Sequence, residues 1–131
     1  MGFTTDGLTL VLNYAFTTET VSRPTAWKMA LHTGDPGADG SANEVDTGTD
    51  ADYVRQSVTF AAESGGRCLN NLAASWTVNS GSAGYTVTHA TVWDVTGTPV
   101  CLMSGELTVH KTLAASDVQT FSVGQIVAAI D

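Results

Sequence analysis

The side chains with the most obvious chemical capacity are six acids gathered in one stretch, GDPGADGSANEVDTGTDAD, from Gly34 to Asp52, which also holds four glycines, one proline and no base. Asp35, Asp39 and Asp46 fall at positions 1, 5 and 12 of a calcium-loop template, with Gly40 at position 6 where the sharp turn belongs. The match fails where ligands matter most. Position 3 is Gly37 instead of Asp or Asn, and position 12 is Asp where a bidentate Glu is wanted. Acids interleaved with glycine, serine and threonine are also what polar turns are made of, so residues 34–52 read as a long acidic surface loop.

Histidines occur at 32, 89 and 110, each alone in a strand-like stretch. Zinc needs three or four clustered N or S ligands, and there is no CxxC, HxH or HExxH. His89, Asp94 and a serine could form a dispersed triad, but no nucleophile elbow accompanies them, so strand histidines that are exposed or hydrogen-bonded are expected. Glu63 and Glu106 are the glutamates in or beside strands; a glycosidase pair would depend on their separation, and solvated positions are expected for both. Trp27, Trp76 and Trp93 could stack on a sugar, though core packing is the commoner use of such large apolar rings. Neither GxGxxG nor GxxxxGK[ST] occurs, which removes nucleotide binding through those loops. No catalytic residue, metal ligand or cofactor is therefore expected.

The elements around these residues are mostly strands. Ala26 to Thr33 alternates Trp27, Met29 and Leu31 with Lys28, Ala30 and His32, the period of a half-buried strand. Tyr53 to Ala62, Leu69 to Val78, Tyr85 to Asp94 and Val100 to Lys111 continue the pattern between Gly- and Ser-rich turns, with Gly105 as an expected bulge and a last apolar segment from Phe121 to Ile130. One helix is expected, from about Asp6 to Phe16, because Leu8, Val11, Leu12 and Ala15 recur at helical spacing behind Thr4, Thr5 and Asp6 as N-caps. The expected fold is mainly β: an antiparallel β-sandwich or partly closed barrel with one short N-terminal helix. It forms a single domain over 1–131, with 1–23 as a helical arm.

Composition narrows the partners. The chain has 131 residues, 43% hydrophobic and 14% charged, enough for one core and too apolar for disorder. Its net charge of −8 argues against nucleic acid, whose binding rests on Lys and Arg. No apolar run approaches the ~20 residues of a membrane helix, and MGFTTDG lacks the basic region of a secretory signal, so synthesis in the cytoplasm is expected. Cys68 and Cys101 are then expected to be reduced core residues.

Taken in order, PTAWKMALHTGDPGADGSANEV, YVRQSVTF, THATVWD, and SGEL followed by KT resemble a family of small tailed-phage virion proteins, variously labelled head decoration, minor tail or tail fibre proteins. The pattern, LHTGDPG, NEV, YxRQxVTF, THxxxWD and SGxL, runs from about Pro24 to Asp131. The resemblance implies a non-enzymatic virion protein, made in the host cytoplasm and acting through protein partners: the major capsid protein or tail proteins, and copies of itself as a homo-oligomer on the particle. A head decoration role is expected first, on the compactness of the chain and the absence of heptads or fibre-like repeats. A minor tail or tail-fibre role stands as the alternative, and a small carbohydrate-binding module as a second one. Leu8, Leu12 and Phe16 are the expected interface residues, since the strands from Pro24 onward suffice to close two sheets without them.

Overall fold

Tyr85–Asp94 is the strand around which the chain is arranged, and in the computed structural model, which describes residues 1–130, it pairs along both edges. Asp131, the last residue of the expected domain and of the family-like pattern, lies outside the described residues. In chain order the elements are β1 (Gly2–Phe3), α1 (Thr5–Phe16), β2 (Trp27–His32), β3 (Gln56–Val58), β4 (Arg67–Leu69), β5 (Ala74–Thr77), β6 (Tyr85–Asp94), β7 (Val100–Leu113), β8 (Val118–Phe121) and β9 (Val127–Ala129). A five-stranded antiparallel sheet runs β1-β7-β6-β2-β3, and two short ribbons, β4-β9 and β5-β8, complete the strands. Met29, Leu31, Val87, Val92, Trp76 and Ile126 are among the side chains of the core shared by the large sheet and the ribbons. The strands do not close into a barrel, and the sandwich-like alternative of the sequence reading describes the fold.

Period-two patterning placed β2 and β6 well, and the departures from it have local causes. Leu69 to Val78 is not one strand: buried Asn70 interrupts it, its amide donating to the carbonyls of Leu72 at 3.1 Å and Ser122 at 3.0 Å while its oxygen accepts from the Ile126 N–H at 2.8 Å. A side chain that satisfies backbone groups in this way offers the chain an alternative to the ladder. Tyr53 to Ala62 is strand only at β3, with an isolated bridge from Phe60 to Asn70.

Gly105 is not the bulge. It sits in register opposite Ala90, and Met1 packs over it, the Met1 Cα 3.2 Å from where a Cβ would stand. The register shifts lie on either side, between Val87 and His89 and between Val92 and Trp93. The first brings Val87 and Ala90, three residues apart, onto the same core, which strict alternation had placed on opposite faces.

β2 is not half-buried either. Met29 and Leu31 face the main core, and Ala30 and His32 are just as deeply buried on the other side of the sheet. The cover is the acidic segment 34–52, which carries turns but no named strand. It is stitched back onto β2 by Val45 N–H to Leu31 O at 3.0 Å and Thr33 N–H to Asn43 O at 2.9 Å. Pro36, Gly40, Val45 and Asp50 turn inward, so the loop is a lid on the sheet as well as an acidic surface.

Candidate functional site

Helix α1 is held at one end and free along one face. Its N-cap Thr4 accepts from the Gly7 N–H at 3.1 Å and donates its hydroxyl to the Cys101 carbonyl at 2.6 Å, while the Thr4 N–H donates to Leu102 O at 2.9 Å. Gly7 is buried against β7, where an added Cβ would collide with the Leu102 carbonyl; only glycine lets the helix backbone come so close. Leu10 then packs partly against the main core.

The residues that face outward are those expected to form an interface. Leu8 is 40% exposed, Leu12 52% and Phe16 81%, while Tyr14, 67% exposed, lies around the helix from them on the side of Leu10. From Gly7 to Phe16 no residue is charged. A lone exposed leucine needs no explanation, but three large apolar side chains in one helical row form a patch of the kind that marks interaction sites. Burying each would contribute roughly 1.5–3 kcal/mol if complete. Along the flank of the helix, Leu10, Val11, Tyr14, Ala15, Val21 and Pro24 line a groove of about 330 Å³, with Arg23 as its one charged lining residue.

The other candidates are not brought together. Asp35, Asp39 and Asp46 each serve a local turn, accepting from the N–H of Gly37 at 2.8 Å, Ser41 at 3.0 Å and Thr49 at 2.7 Å. The hydrogen bonds from Ser41 and Thr49 hold the Asp39 and Asp46 carboxyls below the usual carboxylate range. Among the described residues no three potential metal-binding side chains converge. His89 bonds the neighbouring Thr88 hydroxyl and Asp94 accepts from the Thr96 N–H, so the two do not form a dyad. Glu63 accepts from the Gly66 N–H and Glu106 bonds His110. Trp76 and Trp93 are core residues and Trp27 is partly buried against the core, so no exposed tryptophan platform exists.

His32 is a lock. Its Nδ1 lies 2.8 Å from the Ala42 carbonyl, which can only accept, so Nδ1 carries the proton and Nε2 accepts from the Thr91 hydroxyl at 2.8 Å. Thr91 in turn accepts from the Trp93 indole N–H at 2.7 Å. Burial holds the His32 pKa below its ordinary value, against the opposing pull of the Ala42 carbonyl and Glu44. Beneath the end of the loop, buried Asp50 accepts from the N–H groups of Asp52 and Asn79, both at 3.1 Å, and from the Tyr85 hydroxyl at 2.9 Å. Burial, reinforced by the Asp50 carboxylate, pushes the Tyr85 phenol well above its ordinary range. These are fastenings of the acidic lid, and the sequence carried no motif for them.

A second concavity, of about 540 Å³, opens between the Gly105–Lys111 part of β7 and the β8 and β9 ribbons, with Met29 and Ile126 at its floor. No helix of the described residues is long and apolar enough to cross a membrane.

The fold and this surface define a β-sandwich-like protein whose prominent outward feature is an apolar helical face, as suits a structural component of an assembly. A family model described as podophage GP4 fiber I protein gp80 matches residues 3–129, and the chain belongs to that family. It is a phage virion protein family, in agreement with the class to which the motif pattern pointed. No curated protein matches the chain.

Proposed function

We propose that this chain is a fibre-associated structural subunit of a podophage virion, and that it works by protein contact through Leu8, Leu12 and Phe16 and not by catalysis. The observation that carries the reading is the match over nearly the whole chain to a family described as a fiber protein. The exposed, uncharged ridge of α1 supports contact as its mode of action. Head decoration, the first expectation from sequence, rests on the compactness of the chain and the absence of heptads or fibre-like repeats, and the family description favours the tail-side alternative over it.

Copy number and position on the particle test this. Quantitative mass spectrometry of purified virions should give a handful to a few tens of copies, and gold-labelled antibody should mark the tail end. Hundreds of copies with label spread over the head would overturn the fibre reading and restore the decoration one.

A further inference from the structure

We propose that residues 34–42, the first part of the acidic lid, are a flap that acid releases as a unit through His32, uncovering Trp93 and Cys101 while the sheet beneath stays folded. The inference is independent of the α1 ridge. It begins from the way the flap is closed on itself. The Thr33 N–H donates to Asn43 O at 2.9 Å, which joins the two ends of the segment, and Asn43, with φ at +58°, gives its side-chain amide to Asp35 O at 2.8 Å. Inside, the Ala42 N–H donates to Pro36 O at 2.9 Å and the Gly40 N–H to Gly37 O at 3.2 Å. A compact surface loop with joined ends and internal bonds can open locally as one piece.

Little ties this piece to the body. Among the described residues one hydrogen bond runs from 34–42 to the sheet, from His32 Nδ1 to the Ala42 carbonyl. The remaining hold is packing, with Gly40 against the Cys101 side chain and the Trp93 ring and with Pro36 buried. From Glu44 onward the lid has separate anchors: Arg55 and Tyr53 on Glu44, and the Tyr85 hydroxyl and Asn79 N–H on Asp50. The flap can leave without them.

A second proton on His32 has no place in the closed flap. Thr91 accepts there from the Trp93 indole N–H and donates its only hydroxyl proton to Nε2. A protonated ring offers no acceptor, so that hydroxyl proton loses its partner where both His32 and Thr91 are wholly buried. The charges facing the ring do not compensate. Glu44, paired with His32 across an isolated bridge, is already matched by Arg55, while Arg55 itself and His89, opposite on β6, disfavour another positive charge. Asp35, Asp39 and Asp46 of the lid turn to N–H groups of their own turns, and Asp94 of β6 to Thr96. Lys28 lies toward the other end of β2, and Cys101 of β7 bonds the Met103 carbonyl. The closed flap therefore keeps the ring neutral, and an open one lets water reach it. Because the open form takes the proton at the ordinary value of about 6.5 and the closed form only below it, opening grows as pH falls through 6.5, by at most about tenfold per pH unit.

Hydrogen exchange followed by NMR from pH 7.5 to 5.0, with each rate divided by its intrinsic rate at that pH, tests the proposal on the intact chain. Protection of the Trp93 indole N–H should fall by up to about tenfold for each pH unit below about 6.5, while the Ala90 and Val92 amides, inside the sheet, keep theirs. His32→Gln, which has a donor and an acceptor but no titration, should make the Trp93 protection independent of pH, and His89→Gln should leave the dependence in place. Trp93 protection that ignores pH in the parent, that falls together with Ala90 and Val92, that still falls in His32→Gln, or that stops falling in His89→Gln would each overturn the acid-released flap.

Discussion

The Arg55 guanidinium carbon lies 3.9 Å from the centroid of the Trp93 ring, while Nε and Nη2 of the same side chain each donate to a Glu44 oxygen at 2.8 Å. One planar cation thus joins β6 to the acidic lid through its face and its edge at once. Tyr53 adds to the knot, donating its hydroxyl to Glu44 at 3.0 Å and accepting from the Leu31 N–H at 3.1 Å.

Arg55→Ala should lower stability by about 2–4 kcal/mol, since it leaves a half-buried Glu44 carboxylate without its fork and uncovers Trp93. Arg55→Lys should recover only part of this, because an ammonium lacks the paired donors and the stacking plane. Urea denaturation of the three proteins measures the difference.

Acid should loosen the lid in two stages. His32 has a folded pKa below its ordinary value, mainly through burial, so the unfolded chain takes up the proton first; stability is full above about pH 6.5 and falls as pH drops through that value. For Glu44, burial favours the neutral form, but the Arg55 hydrogen bonds and charge and the Tyr53 hydroxyl outweigh it and hold the carboxyl low. Its contribution is present above the ordinary carboxylate pKa of about 4.3 and is lost as pH falls through the lower folded value. Melting temperatures followed from pH 8 to pH 3 should show both declines, and His32→Gln should begin lower yet lose the upper one.

Gly40→Ala should cost about 2–4 kcal/mol. Its φ is +75°, and an added Cβ would stand 2.7 Å from the Cys101 Cβ, so a left-handed backbone and an overpacked contact combine. Gly97→Ala, with no atom within 4 Å of its Cβ, should change stability by no more than about 0.5 kcal/mol. Thermal melts of the two variants compare them directly.

Cys101 should resist alkylation in the folded protein. It is buried, and burial pushes its thiol up to about 11, opposed by its bond to the Met103 carbonyl and by Arg55. The two cysteines are not bonded to each other, and Cys68 is only partly buried. Mass spectrometry after brief iodoacetamide treatment should find one label, on Cys68, and two labels only after unfolding.

Much of this framework was legible in the sequence. β2 and β6 announced themselves because Met29, Leu31 and Val87 recur amid polar or small neighbours, and Thr4 marked the start of α1 as a cap should. What stayed hidden was set by contacts between distant segments. No periodicity could show that residues 34–52 fold over Ala30 and His32, because a lid of glycines and acids has the composition of a solvated loop. Arg55, Trp93, Glu44 and His32 are scattered over 62 positions, and only the fold makes them neighbours.

The helix shows the same limit in another form. Leu8, Val11, Leu12 and Ala15 made one stripe by spacing, yet the body takes Gly7 and Leu10 and leaves Leu8 and Leu12 outside. A glycine contributes nothing to a hydrophobic pattern, although here its missing side chain decides which face of the helix lies against β7.

Phage that supply Leu12→Asp or Phe16→Asp protein in place of the native chain give the most direct measurement of the ridge's role. With the variants as stable as the parent in solution, purified virions should carry less than about a tenth of the native amount, as a charge forced into an apolar contact predicts. Variant proteins recovered from virions at native stoichiometry would contradict attachment through Leu8, Leu12 and Phe16.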